Sequence, residues 1–261
     1  MVCPCLPAKV ATGKAFASMN CLQLKCACPQ FVQLGPNGAG KSSTLKMLMG
    51  MLRPTSGTIE VLNMDIAKSP SEVKQRVGCV PESHYIYRWM TVAESLRFSR
   101  AMYERWNDEL CDDLLDVFQL PADRRVRELS KGMLAKLSLL IALAHEPDLL
   151  VLDEPLSGLD PIARDDFIDG VMRGICDGDR TVLFSTHQLD EVSRLADSVA
   201  IMNEGQILVH CSIEHLLGNT RRVRAVLSDG RLPDWKPENA VWQRVNRSQL
   251  VRRHAPVCPC Y

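Results

Sequence analysis

The sequence predicts an α/β fold, a mostly parallel sheet with a block of helices set between its strands, and three observations lead to it. First, short apolar runs bounded by turn residues recur at Phe31-Val32-Gln33-Leu34, Val77-Gly78-Cys79-Val80, Leu149-Leu150-Val151-Leu152 and Thr181-Val182-Leu183-Phe184-Ser185. Continuous runs of this kind mark strands buried on both faces, as in a parallel sheet. Second, between Thr91 and about Glu146 the apolar residues fall at helical spacing instead. Third, Gly35-Pro36-Asn37-Gly38-Ala39-Gly40-Lys41-Ser42 is a glycine-rich turn between the first of those strands and a helix marked by Leu45, Leu48 and Met49.

In chain order, residues 1–30 are expected to supply outer strands. Leu22 and Leu24 alternate with Gln23 and Lys25, while Met1 to Lys9, with prolines at 4 and 7, makes a poor strand. After the first helix, Arg53 to Gly57 is a turn and Thr58 to Val61 a strand. Within the helical block, Val92, Leu96 and Phe98 mark one helix. Leu110, Leu114, Leu115 and Phe118 mark a second, and Met133, Leu137, Leu140 and Ile141 a third. Ile162 to Cys176 reads as a crossover helix, and Val199 to Val209, turning at Asn203-Glu204-Gly205, as a hairpin. The polar tail at 221–261 shows one strand, Val223 to Leu227, and no core of its own.

With 46% hydrophobic and 24% charged residues, 261 residues in all, the chain has the balance of an ordinary globular protein long enough for a sizeable core. Lys+Arg and Asp+Glu are both 31, so no net field draws it to nucleic acid or an anionic membrane. The apolar stretch Leu137 to Ala144 is far too short to cross a bilayer. Of 11 cysteines, five precede residue 29 and two lie at 258 and 260, without a CxxC pair or zinc-finger histidine spacing. Two C-P-C tripeptides would share a metal only if the termini met, so scattered reduced thiols in a reducing compartment are the reading favoured. No signal peptide is expected, since the N-terminal stretch lacks a charged segment followed by an apolar core.

The glycine-rich turn carries the chemistry. Gly35, Gly38 and Gly40 let successive N–H groups point at a phosphate, and the helix opening near Lys41 adds its own unpaired N–H groups and dipole. Pro36, Asn37, Ala39 and Ser43 complete this cradle, Lys41 is suited to the β- and γ-phosphates, and the Ser42 hydroxyl to Mg²⁺. A nucleoside triphosphate is the ligand this motif takes. Asp153-Glu154 ends an apolar strand, where ligands gather in open α/β sheets. Asp153 is placed to hold Mg²⁺ and Glu154 to activate a water, although an Asp-Glu pair also ends many ordinary strands. Leu129-Ser130-Lys131-Gly132-Met133 opens the third helix of the block, so Ser130 and Gly132 form a second phosphate-binding surface. Ser157-Gly158-Leu159-Asp160 follows the carboxylate strand, and Ser185-Thr186-His187 ends the next one.

In this order the motifs resemble the nucleotide-binding domain of ATP-binding-cassette (ABC) transporters, over roughly residues 12–217. The resemblance implies a P-loop NTPase (RecA-like) core with an antiparallel β flank. It implies an ATPase domain over 1–220, a helical insert at about 84–146, and an accessory tail at 221–261. ATP and Mg²⁺ are the implied cofactors. Two such domains would sandwich two ATP molecules, with Ser130 and Gly132 meeting the γ-phosphate in trans, His187 meeting it in cis, and Asp160 tying the sites together. The partners would be a second nucleotide-binding domain and a membrane-spanning subunit docked near Glu82, with the chain on the cytoplasmic face of the membrane.

Three departures stand out. LSKGM replaces LSGGQ, which is similar to ATPase subunits of bacterial exporters of the antibiotic-resistance and YtrB-like type. Glu82 replaces the glutamine that follows Val80, and would add a carboxylate to the metal site. The aromatic residue that stacks on adenine falls at Thr12, with Phe16 nearest. Two other readings remain: a soluble ABC ATPase outside transport, and a catalytically weak cassette. The first lacks the coiled-coil insertion or second cassette that its relatives carry. Against the second, Lys41, Asp153, Glu154 and His187 are all present.

Overall fold

The computed structural model describes residues 9–10, 30–175, 180–187, 196–219, 221–226, 240–246 and 249–254, with side chains placed within 30–218. The strand expected at Leu22–Lys25, Thr12, Phe16 and the terminal cysteines lie outside the described residues.

Strands β1 (Lys9–Val10), β2 (Gln30–Leu34), β3 (Ile59–Val61), β4 (Met64–Asp65) and β5 (Val77–Val80) precede β6 (Leu149–Asp153), β7 (Thr181–Thr186), β8 (Ser198–Asn203) and β9 (Gln206–Ser212). A six-stranded sheet takes the order β5-β6-β7-β2-β8-β9. All its neighbours are parallel except the β8–β9 hairpin. β1, β3 and β4 form a small antiparallel sheet, the expected flank, in which Lys9 pairs with Glu60. The proline-containing N-terminal stretch therefore does supply a strand, two residues long and beginning two residues beyond Pro7.

Helices cover both faces. α1 (Lys41–Leu48) and α2 (Pro70–Arg76) precede β5. α3 (Val92–Arg100), α4 (Asp108–Val117) and α5 (Lys131–Ala144) lie between β5 and β6, where the helical block was expected. α6 (Pro161–Ile175) is the crossover between β6 and β7, and α7 (Ile213–Asn219) follows β9. Strand alternation divides the core in two. Leu150 and Leu152 of β6 with Val182 and Phe184 of β7 meet α3 to α6, whereas Leu149, Val151 and Leu183 meet α1 and β3. α5 is buried almost all round, through Leu137, Leu139, Leu140 and Leu143, so it is the central post of the helical block. Each of those leucines contributes about 2 kcal/mol by leaving water. α3 begins with a reciprocal capping box: Glu94 N–H donates to Thr91 Oγ1 and Thr91 N–H to Glu94 Oε2.

Beyond α7, the tail holds three strands rather than the one expected: β10 (Arg221–Val226), β11 (Ala240–Asn246) and β12 (Gln249–His254). They make an antiparallel sheet of order β10-β12-β11.

Candidate functional site

β2, β5, β6 and β7 run parallel, so Gly35, Pro81, Glu154 and His187 all emerge from the same edge of the sheet. The phosphate loop leaves β2 at Gly35, where a side chain would collide with the Met202 carbonyl oxygen of β8. Ala39 N–H donates to Pro36 O at 3.1 Å, and Gly205 N–H donates to Ala39 O at 2.7 Å, which fixes the loop from both sides. Pro36, Asn37 and Gly38 are exposed, and Ser42 and Ser43 half-buried. Gly40 caps α1 with φ of +101°, a conformation open to glycine, and no side chain occupies the helix's first N–H groups.

Lys41 is only 5% exposed. Its Nζ donates to Gly35 O at 2.8 Å and Pro36 O at 3.3 Å, and lies 3.3 Å from Glu154 Oε1. A buried ammonium without such acceptors would be strongly destabilising.

Asp153, 6% exposed at the end of β6, accepts at Oδ1 from Ser42 Oγ (3.0 Å) and from Ser185 Oγ (2.9 Å). Ser185 is its register partner on β7. The sequence reading named Ser185 only as part of a strand end; the signal that gives it a role is the pairing of the two strands. Next to Asp153, the Cys79 thiol is pushed up to about 12, first by burial and then by the aspartate, which leaves it unreactive.

Glu154 turns sharply, with φ of +48°. Its N–H donates to Ser185 O at 3.0 Å and its carbonyl accepts from Ser157 N–H at 3.1 Å. The turn sends the carboxylate back toward Lys41 and places Oε2 at 2.9 Å from His187 Nδ1. Oε1 is buried without an aligned hydrogen bond; its contact with Lys41 is ionic. Lys41, Glu154 and His187 thus form one chain, and Ser42, Asp153 and Ser185 another. Hard oxygen donors at Ser42 and Asp153 suit Mg²⁺, and Glu154 Oε1, in ionic contact with Lys41 but without an aligned hydrogen bond, keeps lone-pair capacity for a further donor.

Three expected site residues stand apart. Ser130 caps α5 by accepting from Met133 N–H at 3.2 Å, and Gly132 packs so near α6 that a Cβ would lie 2.9 Å from Ala163 Cβ. Asp160 is exposed and caps α6 through Ala163 N–H at 2.9 Å, ahead of Pro161. Among the described residues, no hydrogen bond or ion pair joins any of the three to Lys41. Glu82 is exposed after β5 and makes no described hydrogen bond to Ser42 or Asp153.

A strand, glycine loop and helix holding a lysine and a hydroxyl, with a carboxylate pair presented from the strand next but one, define a P-loop nucleoside-triphosphate-binding protein. The ABC transporter family profile matches residues 21–157, 137 of the 261 positions. The chain belongs to that family. It is 34% identical over 191 residues to the bacitracin transport ATP-binding protein BcrA of Bacillus licheniformis, covering 72% of this chain and 62% of the relative. It is 40% identical over 194 residues to the Nod factor export ATP-binding protein I of Burkholderia orbicola (strain AU 1054), covering 71% and 64%. The chain thus spans less than two thirds of the length of these relatives. Among solved structures, one described as an ATP binding subunit of an ABC transporter superposes with a TM-score of 0.71 at 26% identity, over 80% of this chain and 90% of that one. No described helix is long and apolar enough to cross a membrane.

Proposed function

We propose that this chain binds and hydrolyses ATP to drive an exporter whose membrane-spanning subunit is a separate chain. The observation that carries the reading is the pair of side-chain networks around Lys41 and Asp153, built from β2, α1, β6 and β7 at one sheet edge. The phosphate loop and Lys41 would hold the phosphates, and Ser42 and Asp153 would hold Mg²⁺, with Glu82, the carboxylate that follows β5, assigned to the same set. Mg²⁺ supplies neutralising charge on the phosphate oxygens. Glu154 accepts a proton from the attacking water, and His187 keeps the carboxylate turned toward the phosphate side.

Ser130, Gly132 and Asp160 serve a second copy or a related cassette, since their backbone and side-chain groups are tied to their own helices rather than to Lys41. Docking of the membrane subunit is assigned to the surface after Glu82. Tyr85 is 85% exposed there and Trp89 65%, beside a cavity of about 290 Å³ lined by Met51, Ile86, Tyr87 and Phe98. On this reading the chain works at the cytoplasmic face of the membrane. Export is supported by the similarity to the Nod factor export and bacitracin transport proteins. The ATPase unit is assigned to 1–220, with the insert at about 84–146, and 221–261 to an accessory unit.

The test is Glu154→Gln. Hydrolysis should fall by about two orders of magnitude or more while ATP binding persists. Measured phosphate release at the wild-type rate would remove Glu154 as the base.

A further inference from the structure

Lys131, the departure from LSGGQ, has no task in the function proposed above. It is the first residue of α5 and is exposed, and the end of its side chain lies close to the turn after β6. A methyl group at Gly158 would stand 2.5 Å from Lys131 Nζ, 3.6 Å from Cε and 3.9 Å from Cδ. The end of the side chain therefore lies across Gly158, whose φ of +68° and missing side chain make the room. His84, in the loop after β5, is near enough to feel the lysine's charge. Burial, and then the charge of Lys131, hold that imidazole below its ordinary value, and its Nδ1 is buried without a hydrogen bond. Lys131 thus joins the start of α5 to the turn after β6.

That turn begins at Glu154. Ser157 N–H donates to Glu154 O, and Leu159 N–H to Leu156 O, so Gly158 belongs to the same compact segment as the carboxylate. One residue further along α5, Gly132 is seated against Ala163. Two contacts, Lys131 over Gly158 and Gly132 against Ala163, pin the loop 129–133 to the middle and the far end of residues 154–163.

We infer that Lys131 is a positioning residue that couples the loop at 129–133 to the Glu154 turn of its own subunit. This rests on the proposed roles of Glu154 in cis and of Ser130 and Gly132 in trans. When a partner's nucleotide engages Ser130 and Gly132, the displacement of α5 is passed through Lys131 to Gly158 and so to Glu154. One subunit thereby learns in its own site that it is completing the other's.

Steady-state hydrolysis and nucleotide titrations on the full chain test this. Lys131→Ala should lower kcat by about 3- to 10-fold, within the ~2- to 30-fold expected of a residue acting through others, with KM and nucleotide affinity unchanged. Lys131→Arg, which keeps charge and stem, should retain most of the rate. Gly158→Ala should displace the lysine and lower kcat as well, and the double variant should be no slower than Gly158→Ala alone. Wild-type kcat in Lys131→Ala, a loss confined to KM, or a double variant whose loss is the product of the single losses would overturn the coupling. Glu154→Gln separates the two failures. If it is inert while Lys131→Ala is unaffected, only the coupling is wrong; if it hydrolyses normally, the site reading itself has failed.

Discussion

Two helix N-termini in this chain are proposed to meet phosphate, and they are finished in opposite ways. α1 starts at Gly40 without a side-chain cap, and the groups around it come from several strands: Lys41 against Glu154, and Ser42 and Ser185 on Asp153. α5 starts at Ser130, whose hydroxyl already serves Met133 N–H, and its loop is tied backward to Gly158 and Ala163. The first end is completed within the chain, while the second is packed against its own α6 and leaves Ser130 exposed. A helix terminus becomes a binding site through what surrounds it, and here only one of the two is surrounded by its own chain.

The largest expected effect breaks the completed end. Lys41→Ala should weaken ATP binding by about 10- to 100-fold, the worth of a charge-assisted contact, whereas Ser130→Ala should leave binding by a single subunit unchanged. Equal losses in a fluorescent-nucleotide titration would erase the difference between the two helix ends. Next comes Gly132→Val, which forces α5 away from Ala163 and should reduce turnover roughly tenfold, below the ~100-fold that an ångström of misplacement can reach. Mixing it with the Lys41→Ala subunit should recover part of the activity. No recovery would argue that the outward end does not act on a second copy.

Smaller effects sharpen the contrast. Ser130→Ala and Thr91→Ala each remove a helix cap, and each should lower stability by ~1 kcal/mol in denaturant titrations. Only the Ser130 variant should also slow hydrolysis; a matching loss for Thr91→Ala would make capping, not phosphate contact, the cause. The smallest change is expected for Glu82→Gln. It should tighten ATP binding mainly in a chelator, because an ionised carboxylate near phosphates is repulsive without a metal to ligate. Identical shifts with and without Mg²⁺ would take Glu82 out of the metal site.

Much of this was legible in the residues because the strands β2, β5, β6 and β7 are largely buried and read as short, mostly apolar runs bounded by turn residues. The phosphate loop is a contiguous motif, so its chemistry needs no tertiary information. α2 escaped because it is seven residues long with Val73 as its one buried side chain, too short for a period to show, although Ser69-Pro70 is a fair starting signal. α7 is equally short, and β11 and β12 pair within a sheet that the polar tail gave no sign of. At the site, Ser185 and the resting place of Lys131 depend on which strands and loops become neighbours, and spacing along one chain does not encode that.

The strand order has a consequence for how the molecule is made. β2, which launches the phosphate loop at residue 35, is flanked by β7 at 181–186 and β8 at 198–203. During synthesis at about 5–20 residues per second, this strand waits for most of the chain before either neighbour exists. The loop therefore leaves the ribosome early and gains its shape late, after the closure of a very long loop, which is a slow kind of contact to form. A nascent chain halted near residue 160 would carry Lys41, Asp153 and Glu154 with no neighbours for β2, and would present that apolar strand to chaperones rather than a cradle to ATP.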